Sequence, residues 1–139
     1  MSAKELPSDL VAVISRYRLA FLVSVGDLGP HTTPQQPILE SDRFRIAAPG
    51  PVTCRNIVVN PAVTLLYPPS ASDEHALIID GHATLRDYDL EIVPTHAVLH
   101  HVGVAASEPQ RCSHCRRFNL APPAVLSGSN AVEGVDRTG

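Results

Sequence analysis

A chain of 139 residues is one domain's length, and its net charge of −3, with no clustered run of lysine or arginine, excludes nucleic acid as the main partner, because a phosphate backbone calls for concentrated cations. The apolar share is 44 % and largely aliphatic, with three Phe, three Tyr and no Trp, which suits a β-rich barrel or sandwich cored by Val, Leu, Ile and Ala. No stretch approaches the ~20 apolar residues of a membrane span, and residues 1–7 carry one lysine and no apolar run, so the expectation is a cytoplasmic protein with no membrane partner.

Residues 6–9, Leu-Pro-Ser-Asp, supply capping chemistry ahead of Leu10, Val11, Val13 and Ile14, whose spacing places them on one side of a helix. The apolar run 19–25 ends at the turn cluster Gly26-Asp27-Leu28-Gly29-Pro30, and residues 31–39 resume extended character, which predicts a hairpin. Residues 40–42 turn the chain into a strand over 43–48, where Phe44 and Ile46 alternate with Arg43 and Arg45.

Residues 50–61 read Gly-Pro-Val-Thr-Cys-Arg-Asn-Ile-Val-Val-Asn-Pro, a short helix between the strands 43–48 and 62–67. The first N–H groups of such a helix lack intrahelical partners and its dipole favours negative charge, so a phosphate placed there meets Thr53 and Arg55 as well as the backbone. The plainer alternative is a connecting helix on which Arg55 and Asn56 are solvated while Ile57 and Val58 pack inward. Asn60-Pro61 ends the helix, 62–67 forms a strand, and 68–72 makes an exposed tip.

Residues 76–85 predict a longer strand in which Gly81 marks a bulge or bend, and 87–104 reads as a helix. Beyond the proline at 109, residues 117–120 and 124–126 offer a closing strand, and 127–139 form a loose tail; the chain, 1–139, is one domain.

Three cysteines, Cys54, Cys112 and Cys115, in a chain with no secretory signal predict reduced thiols rather than a disulfide framework. Cys112-Ser113-His114-Cys115 follows His96 and His100, which share a face of the expected helix. His96, His100, Cys112 and Cys115 are therefore candidate ligands for tetrahedral zinc. Against zinc, H-x3-H before C-x2-C inverts the common finger order; against a redox pair, the segment lacks a thioredoxin-like βαβ setting. Adventitious thiols beside a closing strand are the simpler reading. There is no G-x-S-x-G elbow and no G-x-x-x-x-G-K-[ST] loop, and the carboxylates are scattered at turns. No catalytic residue is assigned; any redox chemistry would come from a bound cofactor.

The element order predicts a mainly β, predominantly antiparallel barrel with a few helices. Its pieces are Leu19-Ala20-Phe21-Leu22-Val23-Ser24-Val25 after a helix, Pro30-His31-Thr32-Thr33-Pro34, Arg55-Asn56-Ile57 with Asn60-Pro61-Ala62-Val63, and Ile79-Asp80-Gly81-His82-Ala83-Thr84-Leu85. In this order they resemble the pyridoxamine 5′-phosphate oxidase-like flavin-binding split β-barrels over roughly residues 5–105.

That resemblance implies a homodimer holding flavin mononucleotide (FMN) in a groove between subunits, and hydride or electron transfer to a small organic substrate. The cofactor-binding residues it implies are Thr32, Thr33 and Gln35 (or its neighbour Gln36) beside the ring, and Thr53, Arg55 and Asn56 around the short helix. Where the family commonly has a lysine three residues before the helix asparagine, this chain has Thr53. A deazaflavin, or no cofactor at all, are the alternatives; the last would make the barrel a non-enzymatic binding or sensing module, with metal on the Cys/His segment. His31 and His82 fall near the groove without an assigned proton-transfer role. Independently of the resemblance, the strands 19–25 and 62–66 are apolar on both alternating faces, which predicts homodimerisation through a barrel face.

Overall fold

The computed structural model describes residues 5–70, 74–101 and 115–120. Helix α1 (Ser8–Ile14) turns Leu10, Val13 and Ile14 into the core and leaves Val11 partly exposed. Strands β1 (Ala20–Gly26) and β2 (Gly29–Gln35) form the predicted hairpin about Asp27-Leu28. Gly29 has φ +103°, so the two-residue turn depends on a residue without Cβ. The extended run expected to reach residue 39 is interrupted: β2 stops at Gln35, and beyond Pro37 the short β3 (Ile38–Leu39) pairs with β4 (Phe44–Ala47). The chain continues through α2 (Pro51–Val59), β5 (Ala62–Tyr67), β6 (His75–Arg86), β7 (Asp89–His101) and β8 (Arg116–Phe118).

Every strand pairing among the described residues is antiparallel, in the order β2-β1-β5-β6-β7-β4-β3, with β8 beside the later half of β7. Among the described residues the path ends at β2 and β3 and β8 pairs with β7 alone, so the sheet is not closed, in keeping with the expected split barrel. Its inner face carries Leu22, Phe44, Ile46, Leu65, Leu77, Ile79, Leu90 and Ile92, all essentially solvent-free; Leu10 joins them from α1 and Phe118 from β8. Each such side chain stabilises the fold by about 1.5–3 kcal/mol through removal from water. On the outer face a second apolar row crosses four strands in register: Phe21, Leu66, Ile78 and Val98, all half-buried.

The helix expected over 87–104 is instead strand β7. Leu90, Val93, Pro94, Ala97 and Val98 fall at i, i+3, i+4, i+7 and i+8, which mimics a helical stripe. In the structure Asp87, with φ +56°, and Tyr88 make the turn from β6, and burial then alternates through Leu90, Ile92 and Pro94. At Thr95 an extra residue enters β7 opposite Asp80 and Gly81, and the phase slips so that Ala97 and Leu99 are buried next. The bulge signalled by Gly81 is thus present. A Cβ on Gly81 would lie 2.6 Å from Ile92 Cγ2 and 2.8 Å from the Val93 carbonyl oxygen, so a side chain is excluded there. Pro94 is tolerated because β4 pairs with Asp89–Ile92 and β8 with Ala97–Leu99, leaving the proline, which has no N–H, between them.

Charged pairs line the β4–β7 side, where Arg43 donates to both Asp42 and Glu91, and Arg45 to Glu40 and Asp89. The hydrogen bond from Arg43 holds the Asp42 carboxyl below its ordinary value, so the stability it adds is lost as pH falls through that lowered range. Among the described residues no helix is long and apolar enough to cross a membrane. The expected strand 124–126, the tail 127–139 and Cys112 lie outside the described residues.

Candidate functional site

The chain enters α2 through Ala48-Pro49-Gly50-Pro51, with φ +49° at Ala48 and +103° at Gly50. Gly50 is the N-cap, Pro51 occupies the first turn where its missing N–H costs nothing, and no side chain caps the helix start. From there the helix divides by face. Thr53, Asn56 and Ile57 are buried, whereas Arg55, Val58 and Val59 are exposed. Ile57 therefore packs inward as the plainer reading expected; Val58, 76 % exposed, does not.

A buried polar latch fixes the helix on the sheet. Asn56 Nδ2 donates to Ser24 Oγ at 3.1 Å, and Gly26, one step along the same face of β1, makes room for it. A Cβ on Gly26 would come within 2.0 Å of Asn56 Oδ1. On β2 the alternation puts His31, Thr33 and Gln35 on the half-buried side and Thr32 on the exposed side. Gln35 Nε2 donates to Thr33 Oγ1 at 3.2 Å and lies 3.5 Å from the Pro49 carbonyl, which ties the edge strand to the loop ahead of α2.

Between the β1–β2 turn and α2 lies a cleft of about 540 Å³, lined on the hairpin side by residues 26–31 and on the helix side by Val52, Arg55, Asn56 and Val59. These four helix positions are i, i+3, i+4 and i+7, one stripe of the helix. Of the residues singled out from the sequence, Arg55 and Asn56 reach this cleft, as does His31. Thr53, 1 % exposed, is buried beneath the helix, Thr33 and Gln35 lie along β2 on the half-buried side, and Thr32 points away from them. Sequence reading left Asp27, Leu28, Val52 and Val59 out of the site; the helical stripe through Arg55 was the signal available for the last two. The charged lining of the cleft is one guanidinium, Arg55 on the helix, and one carboxylate, Asp27 on the hairpin, where His31 also lies.

Of the metal candidates, His100 Nδ1 lies 3.3 Å from Cys115 Sγ, His96 stands apart on the same strand, and Cys112 lies outside the described residues. His96 and His100 are both exposed on β7, where four residues span about 13 Å. Among the described residues no three His, Cys, Asp or Glu side chains are placed to hold a metal ion. Cys115 is disulfide-bonded, which corrects the expectation of reduced thiols at that position, whereas Cys54 is free. His82 sits half-buried on the outer face of β6.

No family model matches the sequence. An uncharacterized protein of Mycobacterium bovis is 30 % identical over 133 residues, covering 83 % of this chain and 93 % of the relative, and an uncharacterized Mycobacterium tuberculosis protein matches to the same extent. Among solved structures, an FAD-binding protein from Mycobacterium smegmatis superposes with a TM-score of 0.52 at 17 % identity, covering 85 % of this chain and all of the other. A Clostridium acetobutylicum protein related to general stress protein 26, of the pyridoxinephosphate oxidase family, gives 0.56 at 9 % identity over 68 % and 87 % of the two chains. An F420 reductase gives 0.52 at 15 % identity over 62 % and 93 %. At these identities the likeness to the solved structures is one of fold.

Proposed function

The chain belongs to the same family as the uncharacterized mycobacterial relatives and, by fold, to the pyridoxamine 5′-phosphate oxidase-like split β-barrels, and on that basis we propose that it is an oxidoreductase-type flavoprotein acting on a small organic substrate. The observation that carries this reading is Arg55, exposed on the cleft wall within the first two turns of a helix whose start no side chain caps. A phosphate in the cleft meets the planar cationic fork of Arg55, with Val52 of the first helical turn beside it. A volume of about 540 Å³ lies within the range of pockets that bury a cofactor-sized ligand.

The donor set fits such a group with one cation fewer than the family pattern: Thr53, neutral and buried, stands where that pattern has a lysine, which leaves Arg55 as the cation of the helix. In this reading Arg55 holds the phosphate, the β1–β2 turn covers it, and Gln35 keeps the Pro49 loop against β2 so that the helix start stays in place. A bound flavin or deazaflavin would supply the hydride or electron chemistry. The cofactor is FMN or, with its different ring and tail, a deazaflavin. Titration of the purified chain with FMN, FAD and F420, followed by fluorescence, tests this. Saturable binding of at least one in the micromolar range or tighter is expected; no binding of any of them would remove the proposal. The buried Thr53 favours a second reading, a binding or sensing module that holds the cofactor without turning it over. It predicts binding in the same titration but no cofactor-dependent reduction or oxidation of added electron donors and acceptors.

The site is proposed to be completed by a second copy of the chain. The half-buried outer row Phe21, Leu66, Ile78 and Val98 has no helix over it among the described residues, and an apolar sheet face of this kind is stabilised by a partner. Light scattering should report twice the chain mass, and Leu66→Asp should shift the protein to monomer and weaken cofactor binding. A wild-type monomer at micromolar concentration would refute this assembly.

A further inference from the structure

The α2 cleft holds one cation and one anion that leave each other unpaired. Arg55 stands on the helix wall and Asp27 on the turn between β1 and β2, and among the described residues neither side chain is engaged in an ion pair or a hydrogen bond. Elsewhere Arg43, Arg45, Arg86 and Arg116 are each met by a carboxylate. Of the other polar groups on the cleft wall, Asn56 is buried with its amide nitrogen on Ser24, and His31 lies half-buried on β2. The rim is apolar: Leu28 at the tip of the turn is fully exposed, and Val59 on the helix is 62 % exposed.

Resting on the reading of this cleft as a flavin phosphate site, we propose that Asp27 makes it selective for a phosphate of single charge, and so for a flavin or deazaflavin in which each phosphate carries a further substituent, as in FAD or F420, over FMN. The selection follows from the oxygens. A guanidinium fork takes up two oxygens in parallel, and a phosphodiester has two that do not bridge. A monoester such as FMN adds a third and, above about pH 6, a second negative charge. That oxygen finds no second cation on the cleft wall, and the remaining charged group there is a carboxylate. Attraction to one cation grows in proportion to the ligand's charge, whereas the cost of desolvation grows as its square, so it is the second charge that the site leaves unbalanced.

The rest of the lining supports the same choice. A substituted phosphate carries a further group, and the exposed side chains of Leu28 and Val59 at the rim offer that group apolar surface to cover. The neutral, buried Thr53 leaves the helix without a second cation to offset a dianion. Asp27 is placed for selection rather than for folding. It lies on an exposed turn, and no described side chain is held by it.

The test compares FMN with its monomethyl ester, the same ring and ribityl chain with one phosphate charge capped, by fluorescence titration of the full chain. At pH 8 the ester should bind about three- to tenfold more tightly, the scale of one unbalanced charge several ångströms from a carboxylate in a water-accessible cleft. Asp27→Asn should close most of that gap by raising the affinity for FMN, with the thermal midpoint unchanged. At pH 5 FMN carries a single charge, so the two constants should converge in the wild type; Arg55 and His31 then face two ligands of equal charge, and their contribution cancels from the ratio. A gap produced by the methyl group alone would persist at pH 5 and in Asp27→Asn, and would overturn the proposal, as would FMN binding at pH 8 as tightly as its ester. Either result leaves the flavin reading standing. Failure of FMN, its ester, FAD and F420 all to bind removes that reading and this proposal with it.

Discussion

Gly26→Ala is expected to lower the stability of the fold by about 2–3 kcal/mol, roughly 10 °C in thermal midpoint, because the new methyl would overlap the Asn56 side chain. Asn56 cannot simply swing aside: it is buried, and its amide donates to Ser24 Oγ, so relief of the overlap breaks a buried hydrogen bond. Asn56→Ala alone should cost about 1–2 kcal/mol by leaving the buried Ser24 hydroxyl without that donor. If the steric account is right, Gly26→Ala combined with Asn56→Ala is no less stable than Asn56→Ala alone, since the overlapping group has gone. Thermal melts of the three variants settle it, and strict additivity would show that Gly26 matters for another reason. Gly26→Ala should also weaken cofactor binding, because the helix it displaces carries Arg55.

Arg55→Ala is expected to raise the dissociation constant of the cofactor about 10- to 100-fold with little change in thermal midpoint. The magnitude is that of one charge-assisted hydrogen-bonding group, and the small stability effect follows from its exposure on the helix surface. Arg55→Lys should fall between, keeping the charge but losing the planar fork. Fluorescence titration beside differential scanning calorimetry separates the two effects. Unchanged affinity in Arg55→Ala would place the phosphate elsewhere on the barrel.

The β1–β2 hairpin, β4, α2, β5 and the bulge at Gly81 were legible from local patterns, since each rests on alternation or on a glycine or proline whose backbone demands are local. Strand β7 was not. Its bulge at Thr95 inserts one residue into a period of two, and the spacing Leu90, Val93, Pro94, Ala97 then matches a helix as well as a strand. At the site, Arg55 stood out because its residue type and its place on a helix after a turn carry the chemistry. The hairpin wall opposite it, residues 26–31, is brought there by tertiary packing through Ser24 and Asn56, which no spacing along the chain encodes. The contact of His100 with Cys115 depends on a strand register between segments that sequence alone had read as helix and irregular closing strand.

The edge strand β2 carries proline at positions 30 and 34, with Thr32 between them on the same side of the pleat. Each proline deletes an amide donor, so an incoming strand would find an interrupted ladder. Growth of this sheet by strand addition, the route to cross-β fibrils, is thereby disfavoured at that edge.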